Sequence, residues 1–196
     1  MAKTTLLYDL GALVTESLVD QAAGLAEALG RSEPEVTEII AKTAVRYANG
    51  EITQAAHWED AAFYLGLDDT DLLSDFALAG ATVDQALLGR ARVQAGTMTI
   101  GLVSDATPDW VGHFRRTLKL DELFHANIIG SELDEEQSYS QLLGVATARL
   151  QAHPGEVWFV DRKPVHLTTA KAVGMRGIDL ATAPDYRAAF AALPRE

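Results

Sequence analysis

The sequence predicts an α/β fold, a doubly wound, Rossmann-like parallel sheet of about five strands with a helical unit inserted early in the chain. Three observations predict it. Apolar runs of strand length recur along the chain, segments of helical spacing separate them, and one long stretch near the N-terminus carries helical spacing alone. Strands that alternate with helices need crossover connections, and crossovers produce a parallel sheet covered on both faces.

The elements follow in order. TTLLYD (4–9) is the first strand; it ends in Asp9, and Gly11 stands two residues later. Residues 15–95 then break the alternation with LVDQAAGLAEALG, EPEVTEIIAKTAVRYANG, ITQAAHWEDAAFYLGL and DDTDLLSDFALAG, all helical in spacing. Ser32 with Glu35 has the form of a capping box, and Thr53 is placed to cap the next helix. Strands resume with MTIGLVSD (98–105), ANIIGSE (126–132) and EVWFVD (156–161), and a weaker one is GIDLA (177–181). Between them WVGHFRRTLKL (110–120), SYSQLLGVATARLQ (138–151) and HLTTAKAVG (166–174) read as helices, the last closed by Gly174. The expected division is a core of residues 1–14 and 96–196 and a helical cap domain of residues 15–95.

Composition narrows the function classes. The 196 residues suffice for one full core and a small appended unit, and 48% hydrophobic with 22% charged residues is ordinary for a globular protein. A formal net charge of -12 repels phosphate backbones, so nucleic acid is not an expected partner. The absence of cysteine excludes disulfides, thiolate zinc sites and thiol nucleophiles. No apolar stretch approaches the roughly 20 residues of a membrane span, and the N-terminal run is too short for a secretory signal, so a cytoplasmic protein is expected.

Three of the four strong strands end in an acid: Asp9, Asp105 and Asp161. A single aspartate at a strand end is commonly a turn or helix cap. Three together point to a site, because ligands of doubly wound sheets bind beyond the carboxyl ends of the strands.

In that setting the chain resembles the haloacid dehalogenase (HAD) superfamily, in its small helical-capped hydrolase branch. LLYDLGALV resembles the first motif of the branch with an Asp-x-Gly opening, and RYANGEITQAAHWEDA (46–61) resembles its cap segment. GLVSDATPDW (101–110) resembles the second motif, FHANIIGSE the strand before the third, and VWFVDRKPVHLTTAKAVGMRGI (157–178) the fourth. The resemblance implies a phosphate monoesterase in which Asp9 is the nucleophile and forms an aspartyl-phosphate that water hydrolyses. It implies that Asp9, the carbonyl of Gly11 and Asp161 would hold Mg²⁺ and that Ser104 would hydrogen-bond the phosphate. Gly11, Asp105 and Arg162 are the further candidates for substrate contact. Taken alone, Gly11 also reads as a plain turn and Ser104 as a cap. His57, Trp58, Phe63 and Tyr64 are candidates to line the cap, their helical spacing also fitting a cap core.

Four departures from the family pattern stand in the sequence. Gly11 replaces a proton-donating acid, a role that contributes roughly 10²–10⁴ in rate, although the Asp-x-Gly branch lives without it. From Leu120 through Ala148 there is no lysine or arginine, so the third-motif lysine is missing; Glu132, Asp134, Glu135 and Glu136 stand there as a solvated acidic run. Asp161 has no partner acid before Asp179, and Asp105 stands where asparagine is frequent. Two arrangements follow for the cation beside Asp161. Either Arg162 folds over Asp9 or Asp161 and closes the site to Mg²⁺, or it points to solvent and the site binds Mg²⁺ weakly. Lys163 is the other nearby cation.

Three functions are compatible with this pattern: an Mg²⁺-dependent phosphatase of low activity, a metal-independent 2-haloacid dehalogenase, and a catalytically silent binding or regulatory module with a protein partner. The two enzymatic readings take a small-molecule substrate, phosphorylated in the first. His113, His125, His153 and His166 show no metal-ligand spacing and are expected in core or surface roles, His166 being the one that follows the fourth motif.

Overall fold

The computed structural model describes residues 4–15, 18–48, 51–133, 137–183 and 185–194. The chain opens with β1 (Thr5–Asp9), the one-turn helix α1 (Leu10–Leu13) and the two-residue strand β2 (Val14–Thr15). Four helices follow: α2 (Ala22–Leu29), α3 (Glu33–Ala48), α4 (Gln54–Leu65) and α5 (Asp71–Gly80). The short strand β3 (Thr82–Val83), which pairs with β2, leads into α6 (Gln85–Ala95). Then come β4 (Thr99–Ser104), α7 (Pro108–Thr117), α8 (Leu120–Leu123), β5 (Ala126–Ile129), α9 (Tyr139–Arg149), β6 (Val157–Asp161), α10 (Pro164–Ala172), β7 (Arg176–Asp179) and α11 (Tyr186–Ala189).

The five longer strands form one parallel sheet in the order β5-β4-β1-β6-β7. The chain moves outward from β1 through β4 to β5, then returns to the other side of β1 for β6 and β7. The direction therefore reverses between β1 and β6, and a ligand crevice is expected beyond the carboxyl ends of those two strands. Register brings their tips level, since Tyr8 pairs with Val160 and the next residues are Asp9 and Asp161.

Alternation along β1 divides the core between the two faces of the sheet. Leu7 packs with Val103, Ile128, Phe159 and the inward residues Leu142, Leu143, Ala146 and Leu150 of α9 and its end. Gly101, beside Leu7 in register, is what allows this approach: a Cβ there would lie 2.7 Å from Leu150 Cδ1. On the other face Tyr8 meets Phe124 and Phe190 and donates its hydroxyl to Gln94 of α6. Gly174, at φ +92, follows α10 as expected, with Met175 N–H returning to Ala170 O.

The chain divides into two compact units, Met1–Val14 with Val83–Glu196 and Thr15–Thr82. The expected second boundary at residue 95 is corrected to residue 82. Leu87, Leu88, Ala91 and Gln94 of α6 are buried, and the helix packs on β4 and α1, so it is part of the core unit. Its helical spacing alone could not separate it from the insertion. Within the Thr15–Thr82 unit, α2–α5 bury Leu25, Val36, Ile40, Trp58, Ala61, Leu73 and Ala77, and Thr53 caps α4 by accepting from Ala56 N–H. Among the described residues no helix is long and apolar enough to cross a membrane.

Candidate functional site

The site starts from two buried strand tips. Asp9 is 4% exposed and Asp161 0%. Asp9 sits where β1 stops and α1 starts, so its carboxylate faces backbone N–H groups that the helix leaves unpaired, while Asp161 ends β6 three residues before α10. Asp9 caps α1, and its Oδ1 accepts from Gly11 N–H at 2.7 Å. A Cβ on residue 11 would lie 2.9 Å from that same oxygen, which is why the turn takes glycine. Asp161 Oδ1 accepts from Arg162 N–H at 2.6 Å.

The remaining oxygens are taken by two side chains from other elements. Tyr139 is the first residue of α9, a helix begun by a reciprocal Ser138–Gln141 capping box, and its hydroxyl donates to Asp9 Oδ2 at 2.6 Å. His166 lies in the first turn of α10, where Pro164 starts the helix, and its Nδ1 is 2.7 Å from Asp161 Oδ2. An ionised carboxylate can only accept, so Nδ1 carries the proton. The same Nδ1 is 3.9 Å from Asp9 Oδ2. The Tyr139 and His166 rings stack with centroids 3.8 Å apart and planes at 11°, and Phe159 meets Tyr139 edge-on.

Charge balance sets the proton affinities. Burial, then the Asp161 charge, pushes the Asp9 carboxyl up to about 7, with Asp105 adding to the rise; His166 and the Tyr139 hydrogen bond oppose it. Desolvation holds the Tyr139 phenol well above its ordinary range, and the charges of Asp9 and Asp161 reinforce this. For His166 burial works toward the neutral ring, yet the Asp161 hydrogen bond and the charges of Asp9, Asp161 and Asp105 prevail, so its pKa is raised.

Of the candidates read from sequence, Asp9, Gly11 and Asp161 meet in this cluster. Ser104 ends β4 beside β1 and is buried at 2%; its Oγ accepts from Ala106 N–H, a local turn bond. Asp105 contributes its charge to the cluster. Arg162 does not close the site: its guanidinium donates to Asp84 Oδ2 and to Tyr186 Oη (2.7 Å), and its Nε reaches Ala12 O at 3.4 Å. Asp84 caps α6 with Oδ1 and accepts from both Arg162 and Tyr186 with Oδ2, so the guanidinium is held there. The cation-capable group between the carboxylates is His166 rather than Arg162.

Tyr139 and His166 are the residues that sequence reasoning missed as a pair. The usable signal for His166 was its place in the first turn after a strand-terminal Asp and an N1 proline; Tyr139 carries no sequence signal. His57 and Trp58 are buried within the inserted unit, and Phe63 and Tyr64 are exposed at 77% and 59%. His113 stacks edge-on with Phe114, His125 bonds the Ile100 backbone and His153 caps a short turn. Glu132 pairs with Arg115 at the surface, and Asp134, Glu135 and Glu136 lie outside the described residues.

One ligand atom each from Asp9, Asp161 and His166 lies within 4.8 Å of the others, the spacing of a cation site. The donor set does not suit Mg²⁺. That ion demands near-octahedral oxygen ligation at about 2.0–2.1 Å and retains waters. Here a ring nitrogen stands between the carboxylates, both facing oxygens already accept short hydrogen bonds, and the two aspartates have almost no exposure to share with water.

No protein-family model matches the chain, and no curated protein matches it in sequence. Solved structures do match. A predicted HAD-like family hydrolase from Porphyromonas gingivalis is 17% identical, with 100% of each chain covered and a TM-score of 0.70. The L-2-haloacid dehalogenase of Xanthobacter autotrophicus, solved with chloropropionic acid covalently bound, is 17% identical over 95% of this chain and 80% of its own, at 0.68. A HAD family enzyme from Bacteroides thetaiotaomicron, in complex with magnesium and inorganic phosphate, is 15% identical over 94% and 98%, at 0.64. With its five-stranded parallel sheet, flanking helices and early helical insertion, the chain has the fold of the HAD family of enzymes.

Proposed function

We propose that this chain is a HAD-type hydrolase that works without a metal ion and attacks a carbon electrophile through a covalent ester on Asp9. The observation that carries the reading is the His166 Nδ1 contact, 2.7 Å from Asp161 and 3.9 Å from Asp9, in the space where a metal-dependent site needs its cation. A phosphate dianion is the poorer fit. It would bring two charges to Asp9, Asp161 and Asp105 with Arg162 committed to Asp84, where a 2-haloacid brings one; the missing third-motif lysine weighs against both substrates. Attack on the α-carbon of a 2-haloacid expels a singly charged halide, so less negative charge gathers at the site than with a phosphate dianion.

In the first step Asp9 Oδ2 forms a bond to carbon, the bond to the leaving group breaks, and that group departs with the electron pair. Water then adds at Asp9 Cγ; Oδ1 takes the negative charge and keeps its Gly11 N–H as an oxyanion donor. Collapse returns the carboxyl group and an alcohol, so the sum is R–X plus water to R–OH, H⁺ and X⁻. Tyr139 fixes the nucleophile, and the Asp161–His166 pair fixes the charge beside it.

The test is chloride release from 2-chloropropionate in the presence of EDTA, with an ester adduct on the Asp9 peptide by mass spectrometry. Asp9→Asn abolishes both. Loss of activity with EDTA, or Mg²⁺-dependent hydrolysis of p-nitrophenyl phosphate that needs Asp9, would sink the reading. A second reading, a silent binding module, is favoured by one observation: Asp9 is enclosed and both its oxygens are held. Equal background rates for wild type and Asp9→Asn select it.

Gly11→Ala is expected to lower the turnover roughly 10–10²-fold, because the added Cβ displaces Oδ1 by a fraction of an ångström to an ångström. Stability is expected to change far less. Parallel rate measurements and urea melts check the split; an unchanged rate removes Gly11 from the site.

A further inference from the structure

We propose that Tyr139 and His166 form a built-in donor pair that takes the place of a bridging cation between Asp9 and Asp161 and makes this site refuse Mg²⁺. The inference concerns cation binding by the folded chain and stands whether or not Asp9 turns over a substrate. Each ring donates to the facing oxygen of one carboxylate, Tyr139 to Asp9 Oδ2 at 2.6 Å and His166 to Asp161 Oδ2 at 2.7 Å. The rings brace one another at 3.8 Å, and Phe159 supports the Tyr139 side from within the sheet.

The two donors come from the first turns of separate helices, α9 and α10, whose positions are set by the core packing of Leu142, Leu143, Ala146 and Ala170. They are therefore held by the fold rather than by a mobile loop. A divalent ion entering between the carboxylates would need both oxygens within about 2.0–2.1 Å, which means breaking both hydrogen bonds and separating the stacked rings. Its retained waters would also need room beside side chains that are 4% and 0% exposed. The protein thus supplies from its own N–H and O–H groups the two interactions that a cation would make.

The pair predicts a gain of function that no merely structural role would give. His166→Asp removes the nitrogen donor and sets a third carboxylate beside Asp9 and Asp161. It is expected to bind Mg²⁺ by titration calorimetry and Mn²⁺ by electron paramagnetic resonance, whereas the wild type binds neither at millimolar concentration. At a free ion concentration about 100 times its Kd, the variant's Tm is expected to rise by roughly 5–10 °C, and the wild-type Tm to stay put. Should His166→Asp not fold by circular dichroism, the double variant Tyr139→Phe with His166→Ala removes both donors without adding charge and is expected to take up Mn²⁺. Wild-type binding of either ion that Asp161→Asn abolishes overturns the proposal. So does a folded variant of either kind that binds no cation. Metal-independent chloride release reads the catalytic proposal separately, so the two can fail independently.

Discussion

Asp161→Ala is expected to destabilise the protein by about 3–5 kcal/mol, a large part of the roughly 5–15 kcal/mol that holds a typical domain folded. Asp161 is fully buried at the tip of β6, between β1 and β7 in the sheet. Its carboxylate accepts from the Arg162 backbone and from His166 Nδ1. Alanine removes both acceptors and leaves a buried imidazole N–H facing only Asp9, 3.9 Å away. The cost of an orphaned buried donor adds to the loss of a charge-assisted bond. For a chain of this size the Tm falls by roughly 6–20 °C. His166 has a raised pKa, so its stabilising contribution is present below its unfolded pKa of about 6.5 and is lost as pH rises through the folded value. The penalty of Asp161→Ala is therefore larger at pH 6 than at pH 9. Urea melts at both pH values check this; a Tm within a degree of wild type would show that the His166–Asp161 bond holds nothing.

The parts of this architecture that were legible in the sequence are those with a local cause. Strands of a parallel sheet are buried on both faces, so TTLLYD, TIGLVS and EVWFVD stand out as continuous apolar runs, and their terminal acids or hydroxyl mark the crevice rim. Strand order was not legible, because it depends on which way each crossover turns. The helix Gln85–Ala95 was assigned to the insertion because amphipathic spacing says that a face is buried and not against what. The two-residue strands β2 and β3 are too short to leave any pattern.

The site divides the same way. Asp9, Gly11 and Asp161 were legible because a carboxylate at a strand tip and a glycine after it are local chemistry. Tyr139 lies 130 positions from the carboxylate it holds, and no spacing rule joins them. Arg162 misled for the opposite reason. It is adjacent to Asp161 in sequence and suggested a counter-charge, but only its backbone N–H meets Asp161, while its side chain runs to Asp84, 78 positions earlier. Adjacency fixes where a backbone is; it does not fix which acceptor a long side chain reaches.

Asp9→Asn is expected to stabilise the protein above neutral pH by an amount on the order of 2–4 kcal/mol, while giving up activity. The argument is one of linkage. The unfolded Asp9 carboxyl releases its proton near pH 3.9, whereas burial and the Asp161 charge hold the folded one to about 7. Between those values the folded state binds the proton that the unfolded state has lost. Stability therefore falls as pH rises across that window, by up to about 1.4 kcal/mol per pH unit. Above it, Asp9 is ionised in a place that disfavours its charge. Asparagine keeps the shape, retains the Gly11 N–H acceptor, and can donate to the Tyr139 hydroxyl oxygen in place of accepting from it. Wild type is expected to lose stability from pH 5 to pH 8 and the variant to lose less, so that their melting curves diverge toward alkaline pH. Parallel pH profiles would mean that Asp9 is not the group under strain. A diverging pair means that the native carboxylate is less stable than its neutral isostere at the pH where the proposed attack needs it ionised, as expected of a residue held for chemistry rather than for folding.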